Sequence, residues 1–170
     1  MIVGNLSPQV HDDLRLAEQE SGPAAQNGHQ GCPAGVLVVD DEAPVLSVLA
    51  ARLRIEGYKV WLASHGHQAI ELYQRHLEEI AVVLLDVLMP GLDGPHTLIA
   101  LQKLRPTVRC CFMTGNPRPY LEEDLLQMGA ARVFRKPFAF IEVLDALNHL
   151  VGRSPRRRQH RWIDVPWKGV

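Results

Sequence analysis

Residues 80–94 read IAVVLLDVLMPGLDG. The run from Ile80 to Leu85 is unbroken, apolar and rich in β-branched residues. Such a run, bounded by turn signals, predicts a strand buried on both faces. It stops at Asp86, and Met89-Pro90-Gly91 and Asp93-Gly94 mark a turn beyond it. One carboxylate therefore stands at the C-terminal lip of a central strand, the edge where open α/β sheets bind ligands. Taken alone, Asp86 reads equally well as a simple turn former.

Outward from that stretch, strand and helix patterns alternate. Upstream, Val36–Val39 is a short apolar strand that runs into Asp40-Asp41-Glu42. Pro44 then opens a helix carrying Val45, Leu46, Val48, Leu49 and Leu53, which Gly57 stops. Tyr58–Ala63 reads as a second strand and Gln68–Arg75 as a second helix. Downstream, Thr97–Leu104 is a third helix, ended before Pro106. Val108–Met113 is a fourth strand leading into Thr114-Gly115, and Pro119–Met128 a weakly amphipathic fourth helix. Arg132–Arg135 is a fifth strand, followed by Lys136-Pro137 and a fifth helix over Phe138–Val151. Five alternations predict an α/β fold: a doubly wound parallel sheet with right-handed crossovers and helices on both faces.

A chain of 170 residues with 46% hydrophobic content suits one domain plus peripheral segments. The net charge of -1 argues against a general polyanion binder. That average conceals a gradient. From Arg153 onward six basic residues face one acid, whereas Met1 to Ala34 holds four acids and one base. Residues 1–34 read as a linker-like extension, with a short helix marked by Ser7-Pro8, Val10, Leu14 and Ala17 as the ordered alternative. Residues 35–151 form the domain and residues 152–170 a basic tail. Three cysteines, Cys32, Cys110 and Cys111, show no metal spacing, and neighbours on a strand point to opposite faces. With no membrane-length apolar run and no signal pattern, the expectation is a cytoplasmic protein with no membrane partner.

Four of the five strands deliver a polar group at the same end: Asp40 and Asp41, Asp86, Thr114, and Lys136. In a parallel sheet these converge on one edge. Crowded carboxylates need a positive neighbour. Lys136 supplies one charge, and Mg²⁺ suits a few carboxylates with waters and phosphate oxygens. Acids, a hydroxyl and a lysine around such an ion are equipment for phosphoryl transfer, with one carboxylate as acceptor.

The segments VLVVDDE, LLDVLMPGLDG, MTG and FRKPF, in that order, resemble the receiver domain of two-component response regulators. The resemblance implies the flavodoxin-like strand order 2-1-3-4-5. It implies that Asp86 is the phosphoacceptor, that Asp41 and Asp86 bind Mg²⁺ with the Leu88 backbone carbonyl, and that Asp40 acts largely through water. Thr114 and Lys136 correspond to the groups that take phosphoryl oxygens, and Pro137 to a proline with a cis peptide before it. A histidine kinase or histidine phosphotransfer protein would be the donor. An output protein, or a second copy of the chain, would meet the face of helix 4, strand 5 and helix 5.

The sequence also departs from the family. Val133 stands where a Tyr or Phe usually couples to the hydroxyl residue, while Phe134 points to the other face as core. Leu88 and Asn116 occupy the two positions that tune phosphoryl lifetime, and an apolar Leu88 implies slow self-hydrolysis. His65 and His67 read as solvated rather than metal-binding, since no acid pattern accompanies them. The tail, with Trp162 and Trp167, reads as a solvated basic segment ahead of a nucleic-acid contact. No second domain is expected after helix 5, so the reading is a stand-alone regulator. The rivals are an aspartyl-phosphate phosphatase of the haloacid dehalogenase type, which would need a second acid where this chain has Leu88, a receiver-like scaffold that takes no phosphate, and a regulator using the basic tail directly.

Overall fold

The computed structural model describes residues 33–115 and 119–154. The helix expected near the N-terminus, all but the last residues of the linker-like extension, the basic tail from residue 155 onward with its tryptophans, Cys32 and Asn116 lie outside them. The elements are β1 (Gly35–Val39), α1 (Ala43–Ile55), β2 (Lys59–Ala63), α2 (Gly66–Arg75), β3 (Ile80–Asp86), α3 (Gly94–Leu104), β4 (Cys110–Thr114), α4 (Glu122–Gln127), β5 (Arg132–Arg135) and α5 (Phe140–Leu150). The strands form one sheet in the order β2-β1-β3-β4-β5, every neighbouring pair parallel. The α/β class and the 2-1-3-4-5 order expected from the sequence are both present.

Two apolar layers hold the sheet, and the two-residue period of the strands divides them. Leu37, Val39, Val83, Leu85, Cys110 and Phe112 face α2, α3 and α4, packing with Tyr73, Leu98, Leu101 and Leu125. Val36, Val38, Val82, Leu84, Cys111, Met113 and Phe134 face α1 and α5, packing with Leu49, Leu53, Val143 and Leu147. Double-sided burial explains why the central strands read as continuous apolar runs. Cys110 and Cys111 fall into opposite layers, and burial pushes the Cys111 thiol up to about 12. Both thiols therefore stay protonated and inert.

The boundaries differ from the pattern in three places that bear on the site. Strand β4 runs to Thr114, which still pairs with Arg135 of β5. Thr114 is thus pinned by the ladder rather than lying in the turn beyond it. Helix α3 begins at Gly94, three residues early, because Asp93 caps it by accepting from the His96 amide at 2.9 Å and Pro95 fits the first turn. Helix α4 is only Glu122–Gln127. Its start is set by Asp124, whose carboxylate accepts from the Leu121 amide at 3.1 Å, while Tyr120 is held elsewhere.

Asp93 gives a pH-dependent prediction. Burial pushes its carboxyl up, but bonds from the His96 amide, the Tyr120 hydroxyl and the His96 ring outweigh that and hold it below its ordinary value of 3.8. A carboxyl lowered by folding adds stability above its unfolded pKa and loses it as pH falls through the folded one. Asn caps a helix as well as Asp does but carries no charge. Asp93→Asn should therefore lower the Tm at pH 7, with the gap closing in acid below 3.8. A gap that persists unchanged into acid would show that the charge contributes nothing.

Candidate functional site

At the C-terminal edge of the sheet, β1 runs into Asp40 and β3 ends on Asp86. Asp40 is fully buried, and its amide donates to the Ala63 carbonyl at 3.1 Å. Its Oδ1 accepts from the Glu42 amide at 2.9 Å, which folds the acidic run back on itself. Asp86 is buried and pairs with Met113 in the ladder, so its backbone is fixed. Its Oδ2 accepts from the Leu88 amide at 3.1 Å. Both carboxylates meet Lys136, which follows β5: the Nζ lies 2.7 Å from Asp40 Oδ2 and 2.8 Å from Asp86 Oδ1. Glu42 Oε1 stands 3.7 Å from the same ammonium. The Lys136 amide donates to the Thr114 carbonyl at 2.7 Å, and the peptide to Pro137 is cis.

The charges of this cluster are balanced against its burial. Burial pushes the Asp86 carboxyl above its ordinary value, with Asp40 adding to the effect, although Lys136 and the Leu88 amide oppose them. Burial works against the Lys136 ammonium, but its bonds to Asp40 and Asp86 overcome that and raise it. The lysine is therefore charged across the neutral range and holds two carboxylates that would otherwise repel.

Of the residues singled out in the sequence, Lys136 is within hydrogen-bonding distance of both Asp40 and Asp86, and Thr114 is tied to Lys136 through the backbone. Asp41 is exposed beside them. The Leu88 side chain is 40% exposed, leaving the mouth of the site with an apolar rim. Val133 packs on the α2–α4 side of the sheet and Phe134 on the other. His65 and His67 are exposed, and His65 caps α2 by accepting from the Gln68 amide at 3.2 Å. Among the described residues no three His, Cys, Asp or Glu converge as a preformed metal cage. The donors nonetheless match a hard dication: only oxygens, with Asp40, Asp41, Glu42 and Asp86 outnumbering the one lysine.

Two features escaped the sequence reading. Gly94 was legible only as a turn residue, yet its amide donates to the Val87 carbonyl at 2.9 Å, and a Cβ there would collide with the Asp86 carbonyl oxygen. Tyr120 carries no motif, yet its hydroxyl crosses to Asp93 at 2.8 Å.

Known proteins resemble this chain in sequence and in fold. Residues 36–148 match the family described as the response regulator receiver domain. The chain is 30% identical over 112 residues to sporulation initiation phosphotransferase F of Bacillus subtilis (strain 168), covering 66% of this chain and 89% of that one. It is similar to a chain of the CheX–CheY–BeF3–Mg²⁺ complex from Borrelia burgdorferi, with 28% identity, a TM-score of 0.67, and 71% and 91% of the two chains covered. A receiver domain protein from Clostridium thermocellum gives 28% identity and a TM-score of 0.67 over 70% and 94% of the two chains.

Proposed function

The chain belongs to the response regulator receiver domain family, and from that premise we propose that Asp86 accepts a phosphoryl group from a phosphohistidine donor in a Mg²⁺-dependent step. The observation that carries the reading is the lysine held between two buried carboxylates at the ladder-fixed end of β3. A buried acid fixed by the sheet, with one oxygen on an ammonium and the other on a backbone amide, is positioned as an acceptor before any donor arrives.

In the proposed transfer an Asp86 oxygen attacks phosphorus as the bond to the donor imidazole nitrogen breaks. The charge on the group then spreads over three oxygens. Lys136 already lies beside the attacking carboxylate and pairs with one of them. Thr114, buried at the end of β4, offers a hydroxyl to another. Asp41, Asp86 and the Leu88 carbonyl would hold Mg²⁺, with Asp40 contributing through water, and the ion would neutralise charge developing on the phosphoryl oxygens. The printed name of the Bacillus relative, a phosphotransferase, and the BeF3 and Mg²⁺ in the Borrelia complex support this reading. The proposed output is a change in the α4, β5 and α5 surface toward a partner protein or a second copy of the chain.

The test is intact mass after incubation with a small-molecule phosphodonor. The parent with Mg²⁺ should gain about 80 Da, one PO₃ unit. Chelating the metal, or making Asp86→Ala, should abolish the gain. An equal gain by Asp86→Ala would overturn the assignment.

Leu88 sets the lifetime of the product. It presents an exposed apolar side chain at the mouth of the site and gives attacking water nothing to bind. Leu88→Asn should shorten the phosphoryl lifetime about fivefold, the worth of one hydrogen bond of about 1 kcal/mol. An unchanged decay of the adduct would remove Leu88 from this role.

A further inference from the structure

The Tyr120 hydroxyl donates to Asp93 Oδ2 at 2.8 Å, across 27 residues of sequence. The other oxygen of Asp93 is taken by the His96 amide at 2.9 Å and lies 2.7 Å from His96 Nδ1. The Asp93 end is firmly seated on the phosphoacceptor strand. Gly94, the next residue, bonds the Val87 carbonyl and passes so close to Asp86 that no Cβ would fit. A shift in the backbone at Asp86 must therefore carry Asp93 with it.

The Tyr120 end is seated on α4. Its ring packs on the α2–α4 layer, and the next residue, Leu121, leads into the helix through its bond to Asp124. Helix α4 has six residues and only Leu125 fully buried; its other side-chain ties include an exposed Arg135–Glu122 ion pair at 3.1 Å and a Gln102 Nε2 bond to the Met128 carbonyl at 2.8 Å. Leu121 and Leu126 are 57% and 42% exposed, and where these apolar side chains stand depends on how α4 is held. Val133 has neither ring nor hydroxyl with which β5 could couple the pocket to this side.

We propose that the Tyr120–Asp93 hydrogen bond is the strut through which the state of Asp86 reaches α4, making Tyr120 a positioning residue for the surface that carries Leu121 and Leu126. The proposal deepens the phosphoacceptor reading and rests on it. It needs no bond to break: the two loops move as one body because a carboxylate and a phenol join them. The phenol is pushed above its ordinary range chiefly by that same bond, as expected of a donor committed to a carboxylate.

The experiment follows backbone amide signals of the full chain by NMR as beryllofluoride and Mg²⁺ are added, comparing the parent with Tyr120→Phe, which keeps the ring and loses the hydroxyl. In the parent, Val87 and Leu88 should respond together with Leu125 and Leu126. In Tyr120→Phe, Val87 and Leu88 should respond at the same beryllofluoride concentration, while the α4 response shrinks about twofold or more. An α4 response in Tyr120→Phe equal to that of the parent overturns the strut. So does a parent in which Val87 and Leu88 respond but α4 does not, and in both cases the phosphoacceptor reading stands. A parent that shows no response at Val87 and Leu88 defeats the phosphoacceptor reading and the strut together.

Discussion

Lys136→Met should unfold at a much lower urea concentration than the parent, with a loss of about 3–5 kcal/mol, the usual cost of removing one partner from a buried ion pair. The expectation follows from what the substitution leaves behind. Asp40 is fully buried and Asp86 nearly so, and Lys136 touches both. Methionine fills much of the space of the lysine stem but brings no charge, so two carboxylates face each other in a poorly solvated pocket. Adding Asp86→Asn to Lys136→Met removes one of those charges and should recover part of the loss, giving a clear coupling energy in a double-mutant cycle. Mg²⁺ should likewise raise the midpoint of Lys136→Met more than that of the parent, because binding to the folded state stabilises it. A Lys136→Met protein within about 0.5 kcal/mol of the parent, the range of an ordinary surface change, would mean that the cluster is far better hydrated than its burial indicates.

Gly94→Ala should slow acquisition of the phosphoryl group about a hundredfold, the effect of misplacing a reacting group by about 1 Å. The new methyl group would overlap the Asp86 carbonyl oxygen and come within 2.9 Å of Val87 Cα. These are backbone atoms and cannot rotate aside, so β3 or α3 must shift. Overpacking of this kind also costs about 1–3 kcal/mol of stability. Gly91→Ala in the same loop is the control. Gly91 has a φ of 79° and nothing within 4 Å of an added Cβ. Its substitution should cost about 1–2 kcal/mol from left-handed backbone strain while leaving the transfer rate near that of the parent. Equal rates for Gly94→Ala and the parent would show that the close approach does not position Asp86.

The central strands were legible because burial on both faces leaves no polar interruption, and Ile80–Leu85 could be little else. The acidic ends of β1 and β3 were legible for the same reason, since each breaks an apolar run at one edge of the sheet; Lys136, which follows Arg135, was legible from its place after the fifth strand and before Pro137. The short α4 was not. Its sequence offers apolar residues from Tyr120 to Met128, but Tyr120 is drawn to Asp93 and the helix starts only where Asp124 can bond the Leu121 amide. Local pattern cannot register a partner 27 residues away. The start of α3 was misplaced because Asp93-Gly94-Pro95 reads as a turn, whereas cap, close approach and first-turn proline are three separate tasks there. Glu42 was visible as a third acid, but only the fold shows its carboxylate near Lys136.

The most direct measurement is to phosphorylate the parent chain with a small-molecule donor and Mg²⁺, reduce it with borohydride and sequence its peptides by mass spectrometry. An acyl phosphate is reduced to the alcohol, so homoserine should replace aspartate at position 86 and nowhere else. Homoserine at Asp40 or Asp41, or aspartate unchanged at 86 in protein that has taken up phosphate, would contradict the account.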